Sequence, residues 1–96
     1  MYKDLDPILH SQLRLTIISS LISQEEIDFN HIKEITKAAS GNISIQIKKL
    51  QEAGYIQVEK SFKNNYPNTT ISITDKGVEA FKAYVKNLTN YINPEK

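Results

Sequence analysis

The residues best suited to chemistry in this chain lie in one stretch, Ser40 to Ile56, SGNISIQIKKLQEAGYI. Written on a helix with Ile43 at the centre of the inner face, Ile47 and Leu50 follow at i+4 and i+7 and anchor it. The opposite face carries Gly41, Ile45, Lys48 and Lys49, with Asn42, Ser44 and Gln46 on the flanks and Ser40 as the expected cap. This is recognition chemistry. Asn and Gln amides match the edge of adenine, Ser bonds base edges or phosphates, and Lys suits phosphates or guanine. Ile45 has two readings in a polar stripe: a contact for a thymine methyl, or one scattered surface apolar residue.

Other reactive side chains form no comparable set. His10 and His31 are the only histidines, and their spacing is not that of a compact metal motif, so no metal is expected. His10 falls near a predicted dimer interface, which makes a pH-sensitive dimer a secondary reading. Glu25, Glu26 and Asp28 could do acid–base work only inside a pocket, and a loop and short edge strand are expected there instead. There is no cysteine, no glycine-rich phosphate loop and no Gly-x-Ser-x-Gly elbow. No enzyme and no cofactor are expected. Tyr84 and Tyr91, one heptad apart, read as packing aromatics, with a ligand cleft between subunits as the alternative; a small-molecule effector has no other support.

The elements that position the Ser40–Ile56 stretch must fit in 96 residues, enough for one domain spanning 1–96 with a modest core. Apolar residues make up 40% and charged residues 24%, an ordinary globular balance. No apolar run approaches membrane-spanning length and no signal peptide is recognisable, so a cytoplasmic location is expected. Net charge is only +1, but it is unevenly placed. From Asn30 to Tyr66, six lysines (33, 37, 48, 49, 60, 63) face three glutamates (34, 52, 59), giving +3, while the remainder has six bases and eight acids, giving −2. The modest excess of positive charge sits on the candidate reading helix and the segment after it.

Asp6-Pro7 marks a helix start and Ser11 a second cap. From Gln12 to Ser23 the apolar residues Leu13, Leu15, Ile17, Ile18, Leu21 and Ile22 cover more than one helix face, which predicts packing on the chain's own core and on a second partner. Ile27–Phe29 suggests a very short strand. Asn30 caps a helix to Lys37 with Ile32, Ile35 and Ala39 inward, and a tight turn leads to the helix of Ser40–Ala53. Gly54 stops that helix in a left-handed conformation. Tyr55–Phe62 and Thr69–Thr74 read as strands joined by a turn-rich loop, Lys63–Asn68. Thr74-Asp75 opens a last helix whose Val78, Phe81, Val85, Leu88 and Ile92 repeat with heptad-like spacing, over roughly 27 Å at about 1.5 Å per residue; Asn93-Pro94 ends it. The class is mainly α with a small β-hairpin: a winged helix-turn-helix, α-β-α-α-β-β-α.

These motifs together resemble the small MarR-like winged-helix transcriptional regulators, a stand-alone DNA-binding domain family related to the MarR and ArsR groups. The resemblance is carried by Leu5–Ser11 with Arg14-Leu15 and Ile18, by Ile27–Asn30, by Gly41–Ser44 and Ile47–Ile56, by Pro67, and by Ile73–Gly77 with Phe81. It implies a homodimer on double-stranded DNA, with the first and last helices forming the interface and two reading helices in successive major grooves. Two departures stand out: relatives often carry arginine where this chain has Ile45, and basic residues where its wing has Asn64, Asn65 and Asn68.

The expected DNA-binding set is therefore Ser40, Gly41, Asn42, Ser44, Ile45, Gln46, Lys48 and Lys49 on the helix 40–53, with Lys63, Asn64 and Asn65 in a wing over 62–69. The expected dimer interface joins Leu13, Ile17 and Leu21 of an N-terminal helix over 6–23 to Val85, Leu88, Tyr91 and Ile92 of a C-terminal helix over 75–92. The alternative is a winged-helix protein-interaction or dimerisation module that does not bind DNA.

Overall fold

Caps and turn residues set the element boundaries in the computed structural model, which describes residues 2–93. The order is α1 (Gln12–Gln24), β1 (Glu26–Asp28), α2 (Phe29–Thr36), α3 (Ser40–Glu52), β2 (Ile56–Lys63), β3 (Tyr66–Ile73) and α4 (Asp75–Ile92). This is the winged helix-turn-helix order read from the sequence.

Several boundaries shift for local reasons. Asp6 closes a turn instead of capping a helix: its Oδ1 accepts from the Ile8 N–H at 2.8 Å and its carbonyl from the His10 N–H at 2.9 Å. The expected helix over 6–23 is thus a turn followed by α1, which Ser11 caps through a bond from the Arg14 N–H. Asp28, not Asn30, caps α2, accepting from the His31 N–H at 2.8 Å. Ala39 occupies the cap position of α3, where no side chain can bond the free N–H groups; Ser40 is already helical. Gly54 ends α3 at φ 82°, the left-handed conformation expected of it.

The three strands form an antiparallel sheet in the order β1-β3-β2. Lys63 pairs with Tyr66, so only Asn64 and Asn65 turn the hairpin, with φ of 53° and 66°. Positive φ at both central residues matches the twist of the flanking strands, and asparagine tolerates it. The predicted six-residue loop is therefore mostly strand. β1 reaches only Thr70–Ser72 on β3, so β3 is an edge at Pro67, where a missing N–H is tolerated.

α1 is the central element of the core, packing against α2, α3, α4, β1 and β3. Its Ile17, Ile18 and Leu21 are fully buried. Of the wide apolar face, Ile17, Ile18 and Leu21 are covered by the chain's own elements, so Ile17 and Leu21, expected at a dimer interface, have no surface left to offer one; Leu13 and Leu15 are half-buried and Ile22 is exposed. On α2 only Ile32 is buried; Ile35 is exposed, and Ala38 rather than Ala39 packs inward. No helix among the described residues is long and apolar enough to cross a membrane.

Candidate nucleic-acid interface

α3 is amphipathic as its spacing predicts. Ile43, Ile47 and Leu50 are buried, and Ser40, Gly41, Asn42, Ser44, Ile45, Lys48 and Lys49 are exposed. Ile45 is 56% exposed and belongs to no packed cluster. A Cβ added at Gly41 would meet nothing within 4 Å, so no packing within the chain demands a glycine there. Among the described residues the ion pairs are His31–Glu34 and Lys82–Glu79, which leaves the ammonium groups of Lys48, Lys49, Lys60 and Lys63 unneutralised.

Gln46 differs from its neighbours. It is half-buried, and its Oε1 accepts from Nη1 of Arg14 while its Nε2 donates to Oδ1 of Asn42 at 2.9 Å. Arg14 is held in turn by the N-terminal turn, donating from Nε to the Ile8 carbonyl at 2.6 Å. Reading the sequence for site residues passed over Arg14. Its signal was compositional: it is the only arginine in the chain and the only charged residue of α1, set between Leu13 and Leu15.

The end of α3 is tied down by a second link to the same turn. The Tyr55 hydroxyl donates to Oδ2 of Asp6, and the Lys76 ammonium lies 5.9 Å from the Tyr55 ring centroid. Burial first, then the bond to Asp6 and its negative charge, push the Tyr55 phenol from 10.0 up to about 12.

The wing stands beside α3. Val58 and Lys60 share one sheet face and, with Ser44, Ile47 and Lys48 of α3, line a shallow groove between helix and hairpin. Asn64 and Asn65 sit at the tip, next to Lys63. Phe62 and Tyr66 flank them at 77% and 73% exposure, on opposite faces of the hairpin. These two aromatics and Lys60 were absent from the expected contact set. The alternation of the strand carried the signal, since the apolar face of β2 runs on past the core to Phe62.

Of the expected interface residues on α4, Val85, Tyr91 and Ile92 are exposed and Leu88 is half-buried. Tyr91 is engaged within the chain: its hydroxyl donates to the Lys3 carbonyl at 2.8 Å and its ring centroid lies 4.9 Å from that of Tyr2. Tyr84 is buried as a packing aromatic, 3.0 Å from Nδ1 of His10. Leu13 is half-buried in a cleft with Ile35 and Ala38.

Comparison with known proteins agrees with this geometry. The family model described as a winged helix DNA-binding domain matches residues 13–92. An uncharacterised protein of Methanocaldococcus jannaschii is 37% identical over 78 residues, covering 81% of this chain and 85% of that one. A transcriptional regulator homologue from Pyrococcus horikoshii superposes with a TM-score of 0.82 at 28% identity, over 88% of this chain and 84% of that one. A mutant MarR of E. coli, solved with operator DNA, shares the fold alone, with a TM-score of 0.71 at 13% identity over 90% of this chain and 61% of that one. The chain belongs to the winged helix DNA-binding domain family, with the MarR-like order of elements.

Proposed function

We propose that this protein is a sequence-specific transcriptional regulator that binds double-stranded DNA as a homodimer and works by binding, not by catalysis, in the cytoplasm. The observation that carries the reading is the outer face of α3: it holds a polar and cationic set that no other element covers, while its inner face is locked into the core. A helix held this way, with a hairpin at its side, enters a major groove while the hairpin reaches the backbone or minor groove. Ser40, Gly41, Asn42, Ser44, Ile45, Lys48 and Lys49 form the groove set, with Lys63, Asn64 and Asn65 at the wing. The regulator homologue at 28% identity and the operator complex formed by MarR support the same reading. Exposed Val85 and Ile92, with half-buried Leu88, support a second copy packing along α4.

Selection of bound fragments from random duplexes, followed by footprinting, tests this. A palindromic site with half-sites about 34 Å apart is expected. Lys49→Ala is expected to weaken binding to all sequences and flatten its salt dependence. Failure of saturating protein to shift any duplex at low salt would exclude the reading.

One observation favours a second reading. Ile45 on α3 and Phe62 and Tyr66, on opposite faces of the wing, are exposed apolar groups of the kind that dock another protein. In that case no duplex would be selected, and Ile45→Ala would abolish partner binding.

A further inference from the structure

The amide groups on the reading face have a direction, and Arg14 gives it to them. A guanidinium carries N–H donors and no acceptor. Nε of Arg14 donates to the Ile8 carbonyl at 2.6 Å and Nη2 to the Pro7 carbonyl at 3.4 Å, so two backbone groups hold the fork in place. Its Nη1 then meets Gln46, which can only answer with its oxygen, Oε1. The Gln46 amino group is forced to the far side, where it donates to Oδ1 of Asn42 one helical turn earlier. With that oxygen engaged, Asn42 presents its amino group to the surroundings, and Asn42 is exposed. A free asparagine or glutamine can turn its amide end for end and offer either a donor or an acceptor. Here, a charged group with a single hydrogen-bonding sign removes that choice from both amides in series.

We infer that Arg14 is a positioning residue that makes Asn42 a hydrogen-bond donor on the reading face, so that Asn42 selects an acceptor atom on the nucleic acid. This rests on the DNA-binding reading above. The acceptors that fit are a phosphate oxygen and the acceptor edges of bases in the major groove, N7 and O6 of guanine, N7 of adenine and O4 of thymine. The amino group of cytosine is refused, because two donors would face each other with water excluded. Arg14 itself touches no DNA in this scheme; its effect reaches the duplex only through Gln46 and Asn42.

A double-mutant cycle on the full chain tests the relay, using a duplex selected by the unmodified protein. Asn42→Ala is expected to weaken binding at least about tenfold, the cost of losing one directed hydrogen bond. In an Arg14→Met background, where both amides turn freely, the same substitution is expected to cost less than about threefold. The charge removed with Arg14 affects both arms equally and cancels. If Arg14→Met does not fold, Gln46→Met replaces it in the cycle, since it breaks the relay without touching the N-terminal turn. Repeating the selection with the Arg14 variant supplies a readout that a purely structural role would not move. If Asn42 faces a base, the preference at one position relaxes to admit cytosine. If it faces phosphate, no preference changes and the coupling alone remains. Equal losses from Asn42→Ala in both backgrounds, or no loss in either, would overturn the relay while leaving DNA binding intact. An unmodified protein that selects no duplex would instead overturn the reading beneath it.

Discussion

Gly77 in α4 lies against the backbone carbonyl of Tyr55: a Cβ on Gly77 would stand 2.2 Å from that oxygen and 2.9 Å from Cγ1 of Ile73. The same corner is closed by the Thr74 N–H, which donates to the Tyr55 carbonyl at 3.0 Å, and by the Thr74 hydroxyl, which donates to the Gly54 carbonyl at 2.7 Å. The end of α3 and the start of α4 are thus fastened at a corner whose close approach only glycine permits. Gly77→Ala is expected to destabilise the protein by about 1–3 kcal/mol, the usual cost of overpacking, since backbone on the other side cannot step aside as a side chain can. That corresponds to a fall in Tm of roughly 4–8 °C per kcal/mol for a domain of this size. An unchanged Tm would show that the corner yields.

Tyr55 makes the fold sensitive to alkali. Its phenol titrates at about 12 when folded and near 10.0 when released from burial and from Asp6. Below pH 10 both states hold the proton and its stabilisation is fully present. Between there and about pH 12 only the folded chain holds it, so stability falls as pH rises through the folded value. The Tm difference between the unmodified protein and Tyr55→Phe is therefore expected to be constant up to pH 9 and to shrink towards pH 12, and absorbance titration should lose its latest phenolate in the variant. A constant difference across the range would remove Tyr55 as the cause.

Gly41 separates stability from binding. Its Cβ position is open, so Gly41→Ala is expected to leave the fold intact or raise its stability by up to about 1 kcal/mol through helix propensity. If duplex backbone approaches that position, the same methyl group weakens binding. Melting and DNA titration of one variant measure both, and unchanged affinity would place Gly41 away from the duplex.

Ile45 is exposed at the middle of the outer face of α3, where, on the proposed DNA-binding reading, a cation would meet phosphate. Ile45→Arg is expected to leave Tm unchanged, raise affinity for unrelated duplexes and steepen the salt dependence by about one unit per subunit. Reduced preference for the selected site should accompany this if Ile45 packs on a thymine methyl. A salt slope that does not change would mean that residue 45 stays clear of the backbone.

Leu21 and Val85 were both expected at a subunit interface, yet one is fully buried and the other 44% exposed. Leu21→Ala is expected to cost about 2–5 kcal/mol of folding stability, as a core truncation does. Val85→Glu is expected to leave the fold intact and shift the protein from dimer to monomer in sedimentation. Dimers that survive Val85→Glu would exclude this part of α4 from the interface.

What the sequence determined by itself is local. The order of elements, the inward face of Ile43, Ile47 and Leu50, the stop at Gly54 and the cap at Thr74 all follow from helical periodicity and from backbone groups that must be satisfied within a few residues. The cap at Asp28 lies two residues from the expected Asn30, because the two side chains compete for the same N–H groups, and the cap position of α3 falls one residue before Ser40, at Ala39, with no side-chain bond. The tertiary structure alone decided matters that depend on which faces meet. A broad apolar helix looks the same whether its second face meets a partner or its own sheet, and only the packing of α1 against α2, α3, α4, β1 and β3 showed that Ile17 and Leu21 are core. The relay from Arg14 to Gln46 joins residues 32 positions apart and so left no periodic trace. The hairpin register, with Asn64 and Asn65 alone at the turn, likewise rests on cross-strand pairing. Contacts between distant segments are set by shape and by the sign of hydrogen-bonding groups, and neither is written in the spacing of one segment.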